Sequence, residues 1–222
     1  MLQLLDTHVD VAGKPLLKSI SMEIVPGSVC GLFGFSGSGR SSIIKLFCQQ
    51  KLPTKGNVVL DGNTLVNQSP NLCGIVGYVP QGAFLPPDIN VGQMLGVFND
   101  LGTGEVGFER FKDMRGQSIR SLSGGERRFI EVMGILNLKR KYYVLDEPFS
   151  GIQPIDVEII SGIIAKRTKE GAGILIADQY YKNVVAIAGY GYVLKDNTCF
   201  KIKNSESIEE KLVEFGYIRK RP

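Results

Sequence analysis

The stretch Gly34-Phe35-Ser36-Gly37-Ser38-Gly39-Arg40-Ser41-Ser42 constrains this chain more than any other. It follows the apolar run Val29-Cys30-Gly31-Leu32-Phe33 and precedes Ile43-Ile44-Lys45-Leu46-Phe47, which has helical spacing. Strand, glycine-rich turn and helix in that order are the context a phosphate-binding loop requires. Glycines let successive backbone N–H groups turn toward an anion, and the helix N-terminus adds a partial positive charge. Gly34, Ser36, Gly37, Ser38, Gly39, Arg40, Ser41 and Ser42 are therefore the candidate phosphate cradle. Ser41 stands where the motif places a Mg2+-binding hydroxyl, and Arg40 stands where it places lysine.

With 222 residues, 43% of them apolar, the chain can bury one sizeable core, so a single domain spanning 1–222 is expected. Lys and Arg (26) nearly balance Asp and Glu (22), so charge alone points to neither a nucleic acid nor a membrane surface. Cys30, Cys48, Cys73 and Cys199 form no C-x-x-C pair. Neither a zinc site nor a disulfide framework is indicated, which suits a reducing compartment. Asp6, His8 and Asp10 argue against a signal peptide at the N-terminus. No apolar run approaches the roughly 20 residues of a spanning helix, so a membrane role would run through a partner. The basic cluster Arg219-Lys220-Arg221 reads as a solvated terminus.

Residues 2–11 and 16–25 read as strands, the second ending in near-regular alternation. Asn57-Val58-Val59-Leu60 closed by Asp61-Gly62 is a hairpin signal, and Gly74–Val79 is a further apolar strand. Between 88 and 116 the character changes. Ile89, Val91, Met94, Leu95 and Phe98 have helical spacing, then Gly102, Gly104 and Gly107 loosen the chain before Phe108–Met114. Next come a helix from Gly124 to about Leu138, a strand at Tyr142–Leu145, a helix opening at Pro154 and a strand at Ile174–Ala177. Short terminal elements complete the chain. Alternating strands and helices imply an α/β core on a largely parallel sheet.

Tyr142-Tyr143-Val144-Leu145-Asp146-Glu147 delivers two carboxylates at a strand's C-terminal end, where open α/β sheets bind ligands. Beside a phosphate loop, Asp146 would hold Mg2+ and Glu147 would orient and deprotonate an attacking water. In Leu122-Ser123-Gly124-Gly125-Glu126 the glycines permit close backbone approach to a ligand and Ser123 offers a hydroxyl. The same residues spell a capping box, Ser123 as N-cap and Glu126 three residues on; both readings can hold together.

The glycine loop, Gln81, Leu-Ser-Gly-Gly-Glu and strand-Asp-Glu-Pro, in that order, resemble the ATP-binding-cassette (ABC) ATPases. Ser123 lies 23 residues before Asp146, a spacing typical of that family. Gly77–Gln81, Leu122–Arg128 and Asp146–Gly151 look most like the bacterial branch that includes the lipopolysaccharide-export and branched-chain amino-acid transporter ATPases. The resemblance covers nearly the whole chain. It implies a RecA-like P-loop NTPase core with a mainly parallel sheet. To that core it adds an antiparallel β-subdomain (about 1–30 and 52–78) and a small helical subdomain (about 82–121). It implies ATP and Mg2+ as cofactors, with Ser41, Gln81 and Asp146 at the metal and Glu147 as the base. It implies a nucleotide sandwich in which Ser123, Gly124 and Gly125 of one ATPase subunit close over ATP held by a second, in a homodimer or heterodimer. Integral-membrane permease subunits would be the further partners, at the cytoplasmic face of the membrane; no nucleic acid is expected.

Five features depart from the family's pattern. The loop lysine is Arg40, the usual aspartate after Pro148 is Gln153, and the switch histidine is Gln179. The adenine-stacking aromatic maps to Val11, and the stretch from Gln81 to Leu122 is short. The only histidine, His8, lies on the first strand, where a structural role is expected. Arg40 keeps the charge in a bulkier fork. Gln179 can donate to a γ-phosphate oxygen but carries no charge, which would weaken transition-state stabilisation by about 1–3 kcal/mol. With Glu147 and the Ser123 segment intact, the pattern reads as a slowed or partner-dependent ATPase. The alternatives are a nucleotide-gated binding module and a soluble ABC protein of DNA repair or translation. The latter needs long insertions or a second cassette, for which 222 residues leave no room. The chain has no Asn-Lys-x-Asp segment for guanine recognition.

Overall fold

The computed structural model describes residues 1–65, 72, 74–100, 107–203 and 206–219. The amino-terminal alternation makes a sheet with one buried face. β1 (Leu2–Val11) and β2 (Lys14–Ile24) pair antiparallel. Leu17, Ile20, Met22 and Ile24 are buried, and Ser21 between them is exposed. The chain then leaves this sheet. All six residues of β3 (Val29–Gly34) are buried, as a central parallel strand covered on both faces requires. α1 (Arg40–Phe47) comes directly after the glycine loop. β4 (Lys55–Leu60) returns beside β1 and turns through Asp61-Gly62 into β5 (Asn63–Thr64). Both turn residues have positive φ, 49° and 84°, the geometry of a two-residue hairpin turn.

The second half builds the larger sheet and its helices: β6 (Val76–Val79), α2 (Val91–Asp100), α3 (Gly124–Asn137), β7 (Tyr142–Asp146), α4 (Pro154–Lys169) and β8 (Gly173–Ala177). α5 (Tyr181–Val185), β9 (Tyr190–Lys195), β10 (Thr198–Ile202) and α6 (Ile208–Glu214) complete it. The strand orders are β2-β1-β4-β5 and β10-β9-β3-β8-β7-β6. In the larger sheet β9, β3, β8, β7 and β6 run parallel, and β10 returns antiparallel to β9. The fold is thus mixed α/β, an antiparallel N-terminal sheet joined to a largely parallel one.

Alternate residues of the central strands feed two cores. Tyr142, Val144, Leu175 and Ala177 join α1 and the antiparallel sheet, whereas Tyr143, Leu145, Ile174 and Ile176 join α2, α3 and α4. The helical part closes on stacked rings, Phe98 on Phe108 at 6.1 Å and Phe111 on Phe129 at 5.6 Å. One detail differs from the expectations of the sequence, and two are sharpened by the structure. Val76–Tyr78, most of β6, falls inside the 52–78 segment expected with the antiparallel part, yet it pairs in parallel with β7. Glu109–Met114 is helical, as a 3-10 helix. The terminal elements include β9, a strand directly beside β3. Gly102, Gly104, Cys73, Lys220 and Arg221 lie outside the described residues.

Candidate active site

Parallel strands end at one edge of a sheet, so the segments leaving β3, β6, β7 and β8 meet there. The glycine loop leaves β3, Gln81 lies just beyond β6, Asp146-Glu147 ends β7, and Asp178-Gln179 lies just beyond β8. They line a cleft of about 400 Å³ that holds Ser36, Gly37, Gly39, Arg40, Ser41, Ser42, Gln81, Asp146 and Glu147, with Leu16 and Phe35 at its side. An adjoining cleft shares Arg40, Gln81 and Glu147 and adds Gly34, Gln179, Tyr181, Tyr217 and Ile218.

The loop is shaped for an anion. Gly37 and Gly39 take left-handed φ of 79° and 102°, and a Cβ on Gly39 would come within 2.7 Å of Leu17 Cδ2. No side chain caps the start of α1, and its first turn carries no acidic residue. Ser38 Oγ and Arg40 Nη1 are buried without a hydrogen-bond partner. A buried donor left in that state costs about 1–3 kcal/mol. Arg40 lines the cleft, so an anionic ligand there would meet an unpaired guanidinium N–H beside the glycine loop.

The carboxylates are set against it. Burial, then the charge of Glu147, pushes Asp146 up to about 6, with Arg40 and Arg128 opposing. Such a carboxyl is stabilised in its charged form by a cation. Among the described residues no group of three His, Cys, Asp or Glu side chains could hold a metal. Asp146 and the Ser41 hydroxyl line the same cleft, and a hard cation such as Mg2+ would take them together with nucleotide oxygens. Glu147 has φ 55°; its N–H donates to the Ala177 carbonyl at 2.6 Å. Asp178, fully buried, accepts from Phe149 N and Tyr180 N at 2.8 Å each, and so fixes the backbone around Gln179. Gln179 Nε2 donates to Ser150 Oγ at 3.3 Å.

Ser123, Gly124, Gly125 and Val11 do not join this cluster. Ser123 caps α3 through a reciprocal capping box with Glu126, and none of the three signature residues lines either cleft. A Cβ on Gly125 would come within 2.3 Å of the Gly151 carbonyl, so close backbone packing requires this glycine. Val11 sits at the β1–β2 tip, 49% exposed and off both clefts; Leu16 is the aliphatic residue that lines one. His8 lies on β1, its Nε2 3.6 Å from Asp6 Oδ1. The sequence alone does not single out Asp178 or Tyr217. Tyr217 packs its ring 5.4 Å from that of Phe35 in the glycine loop.

Residues 17–150 match the family described as "ABC transporter". The lipopolysaccharide export system ATP-binding protein LptB of Escherichia coli K12 is 28% identical over 199 residues, covering 82% of this chain and 81% of that protein. A putative ABC transporter ATP-binding protein of Pyrococcus horikoshii is 32% identical, covering 92% and 84%. Among solved structures, a nucleotide-free ATP-binding cassette from an ABC transporter superposes with a TM-score of 0.81 at 18% identity, covering 99% of each chain. The ATP-binding cassette MJ0796, a dimer bound to ADP and Pi in a post-hydrolysis state, superposes with a TM-score of 0.76 at 18% identity, covering 93% of this chain and 100% of that one. At that identity the superpositions establish the fold. Together with the family match over the loop, Gln81, the Ser123 segment and the Asp146-Glu147 strand end, they identify the chain as an ATP-binding-cassette ATPase, an ATP-binding subunit of the ABC transporter family.

Proposed function

We propose that this subunit binds ATP with Mg2+, closes on a second ATPase subunit as a nucleotide sandwich, and hydrolyses ATP to drive translocation by integral-membrane permease subunits. It would work at the cytoplasmic face of the membrane. The observation that carries this reading is a separation. One cleft gathers Arg40, Ser41, Gln81, Asp146 and Glu147, while Ser123, Gly124 and Gly125 stand outside it. A complete site then takes its cradle from one subunit and its Ser123 segment from another. The place of LptB in an export system and the dimeric state of MJ0796 support the same arrangement.

In this scheme the glycine-loop N–H groups, Ser38 and Arg40 hold the phosphates. Mg2+, held by Ser41 and Asp146 with Gln81 nearby, would neutralise charge on the β- and γ-phosphates. Glu147 orients the attacking water and accepts its proton, and Gln179 donates to the γ-phosphate. Binding favours closure only by its differential affinity for the closed state. Arg40 and Gln179 favour slow or partner-dependent turnover; a conventional partner would bring its own loop to this chain's intact Ser123 segment. Among the described residues no helix is long and apolar enough to cross a membrane, so the permease function would lie in other subunits. The test is ATP hydrolysis by the purified chain, alone and reconstituted with candidate integral-membrane permease subunits. Stimulation by those subunits is expected. An unchanged rate in their presence would refute the coupling.

A further inference from the structure

One turn of α3 holds two segments of the site. The Arg128 guanidinium, 7% exposed, donates through Nη1 to the Pro80 carbonyl at 2.7 Å and to Glu131 Oε2 at 3.4 Å. Through Nε and Nη2 it donates to the Glu147 carbonyl at 3.2 and 3.1 Å, and Nη2 also reaches the Asp146 carbonyl. Glu131, 1% exposed, accepts through Oε1 from Phe84 N at 3.0 Å and Leu85 N at 3.3 Å. The Gln81 turn is therefore fastened at both ends, at Pro80 by Arg128 and at Phe84-Leu85 by Glu131.

Two physical facts make this more than packing. Glu147 holds a left-handed φ of 55°, which is unfavourable for a residue with a Cβ and persists only where the surroundings enforce it. Its N–H is held by Ala177 and its carbonyl by Arg128, so the grip acts on the backbone that aims the carboxylate. A planar guanidinium can also serve three carbonyls on two different segments at once, which a lysine ammonium does not reproduce. Arg128 lies three residues before Glu131 on α3, and the pair is buried, so each neutralises the other.

We propose that Arg128, braced by Glu131, is a positioning residue that fixes Glu147 and Gln81 relative to each other for hydrolysis. The inference rests on the roles given to Glu147 and Gln81 above. It also bolts the helix that presents Ser123 at its N-terminus to this subunit's own catalytic edge.

Arg128→Lys keeps the buried charge and loses the fork, and so is the informative variant; Glu131→Gln, which keeps an acceptor for Phe84 and Leu85, is the second. Four quantities are measured on the full chain: affinity for a fluorescent ATP analogue, single-turnover hydrolysis, hydrogen–deuterium exchange and melting temperature. Arg128→Lys is expected to slow hydrolysis about tenfold while the analogue's Kd moves less than about twofold. Exchange should quicken at 81–85 and 147–151 and stay unchanged at 174–177. In a Glu147→Gln background the lysine variant should cost nothing further. Unchanged exchange at the two turns overturns the proposal. So does parallel loss of binding and melting temperature, which a merely structural arginine would give, or a full additional loss in the Glu147→Gln background. A wild-type chain that does not hydrolyse ATP would overturn the proposed function instead, and the exchange pattern would still decide the role of Arg128.

Discussion

Asp146 is expected to weaken the nucleotide-free protein it belongs to. Its carboxyl ends β7 at 6% exposure, and burial together with Glu147 raises its pKa from 3.8 to about 6. A carboxyl whose folded pKa lies above its unfolded value binds its proton more tightly in the native state. Stability therefore rises as pH falls from about 6 toward 3.8, and that increment is absent at neutral pH. A displacement of this size corresponds to about 3 kcal/mol. Asn is nearly isosteric and uncharged, so Asp146→Asn removes the penalty. In urea unfolding with EDTA at pH 7.5, the variant is expected to be more stable by about 2–3 kcal/mol. At pH 5 the wild-type carboxyl is largely protonated and the gap should shrink to about half. ATP with Mg2+ should close most of that gap, stabilising the wild type by about 2.7 kcal/mol at a hundredfold excess over Kd and the variant far less. A variant less stable than wild type at pH 7.5 without nucleotide, or a gap indifferent to pH, would refute the claim that this site holds a desolvated charge for a cation.

Gln179→His returns a chargeable ring to the switch position. Single-turnover hydrolysis should rise about 10- to 100-fold with ATP affinity nearly unchanged, and no gain would mean that Gln179 does not limit the rate. Gly125→Ala places a Cβ 2.3 Å from the Gly151 carbonyl. A thermal melt should then report a loss of about 1–3 kcal/mol, whereas an unaltered melting temperature would show that the two segments part freely.

The parts of the site legible in the sequence are those whose chemistry is local. A glycine loop between strand and helix, a capping box at Ser123 and two carboxylates closing an apolar strand each announce themselves within ten residues. The same holds for the Asp61-Gly62 hairpin and for Pro154, which sits in the first turn of α4. The illegible parts depend on contacts between distant segments. Arg128 looks like any charged residue on an amphipathic helix until Pro80, Asp146 and Glu147 turn their carbonyls toward it. β9 is hidden because Gly191 breaks its apolar run. Gly191 is needed there, since a Cβ would come within 2.9 Å of the Gly31 carbonyl on the neighbouring strand. Proximity in sequence groups Val76–Tyr78 with the hairpin strands, but its partner β7 lies more than 60 residues on. Family spacing points to Val11 beside the adenine; Val11 does not line the cleft, which Leu16 does.

The central claim is that ATP joins two subunits through one subunit's glycine loop and the other's Ser123 segment. Its most direct test is the mass of the Glu147→Gln variant by size-exclusion chromatography with light scattering, in ATP and Mg2+ and again after EDTA. The account predicts a species of twice the monomer mass that forms only with ATP and Mg2+, reverts on chelation, and is lost when Ser123→Arg blocks the signature segment. A nucleotide-loaded monomer under the same conditions would contradict it.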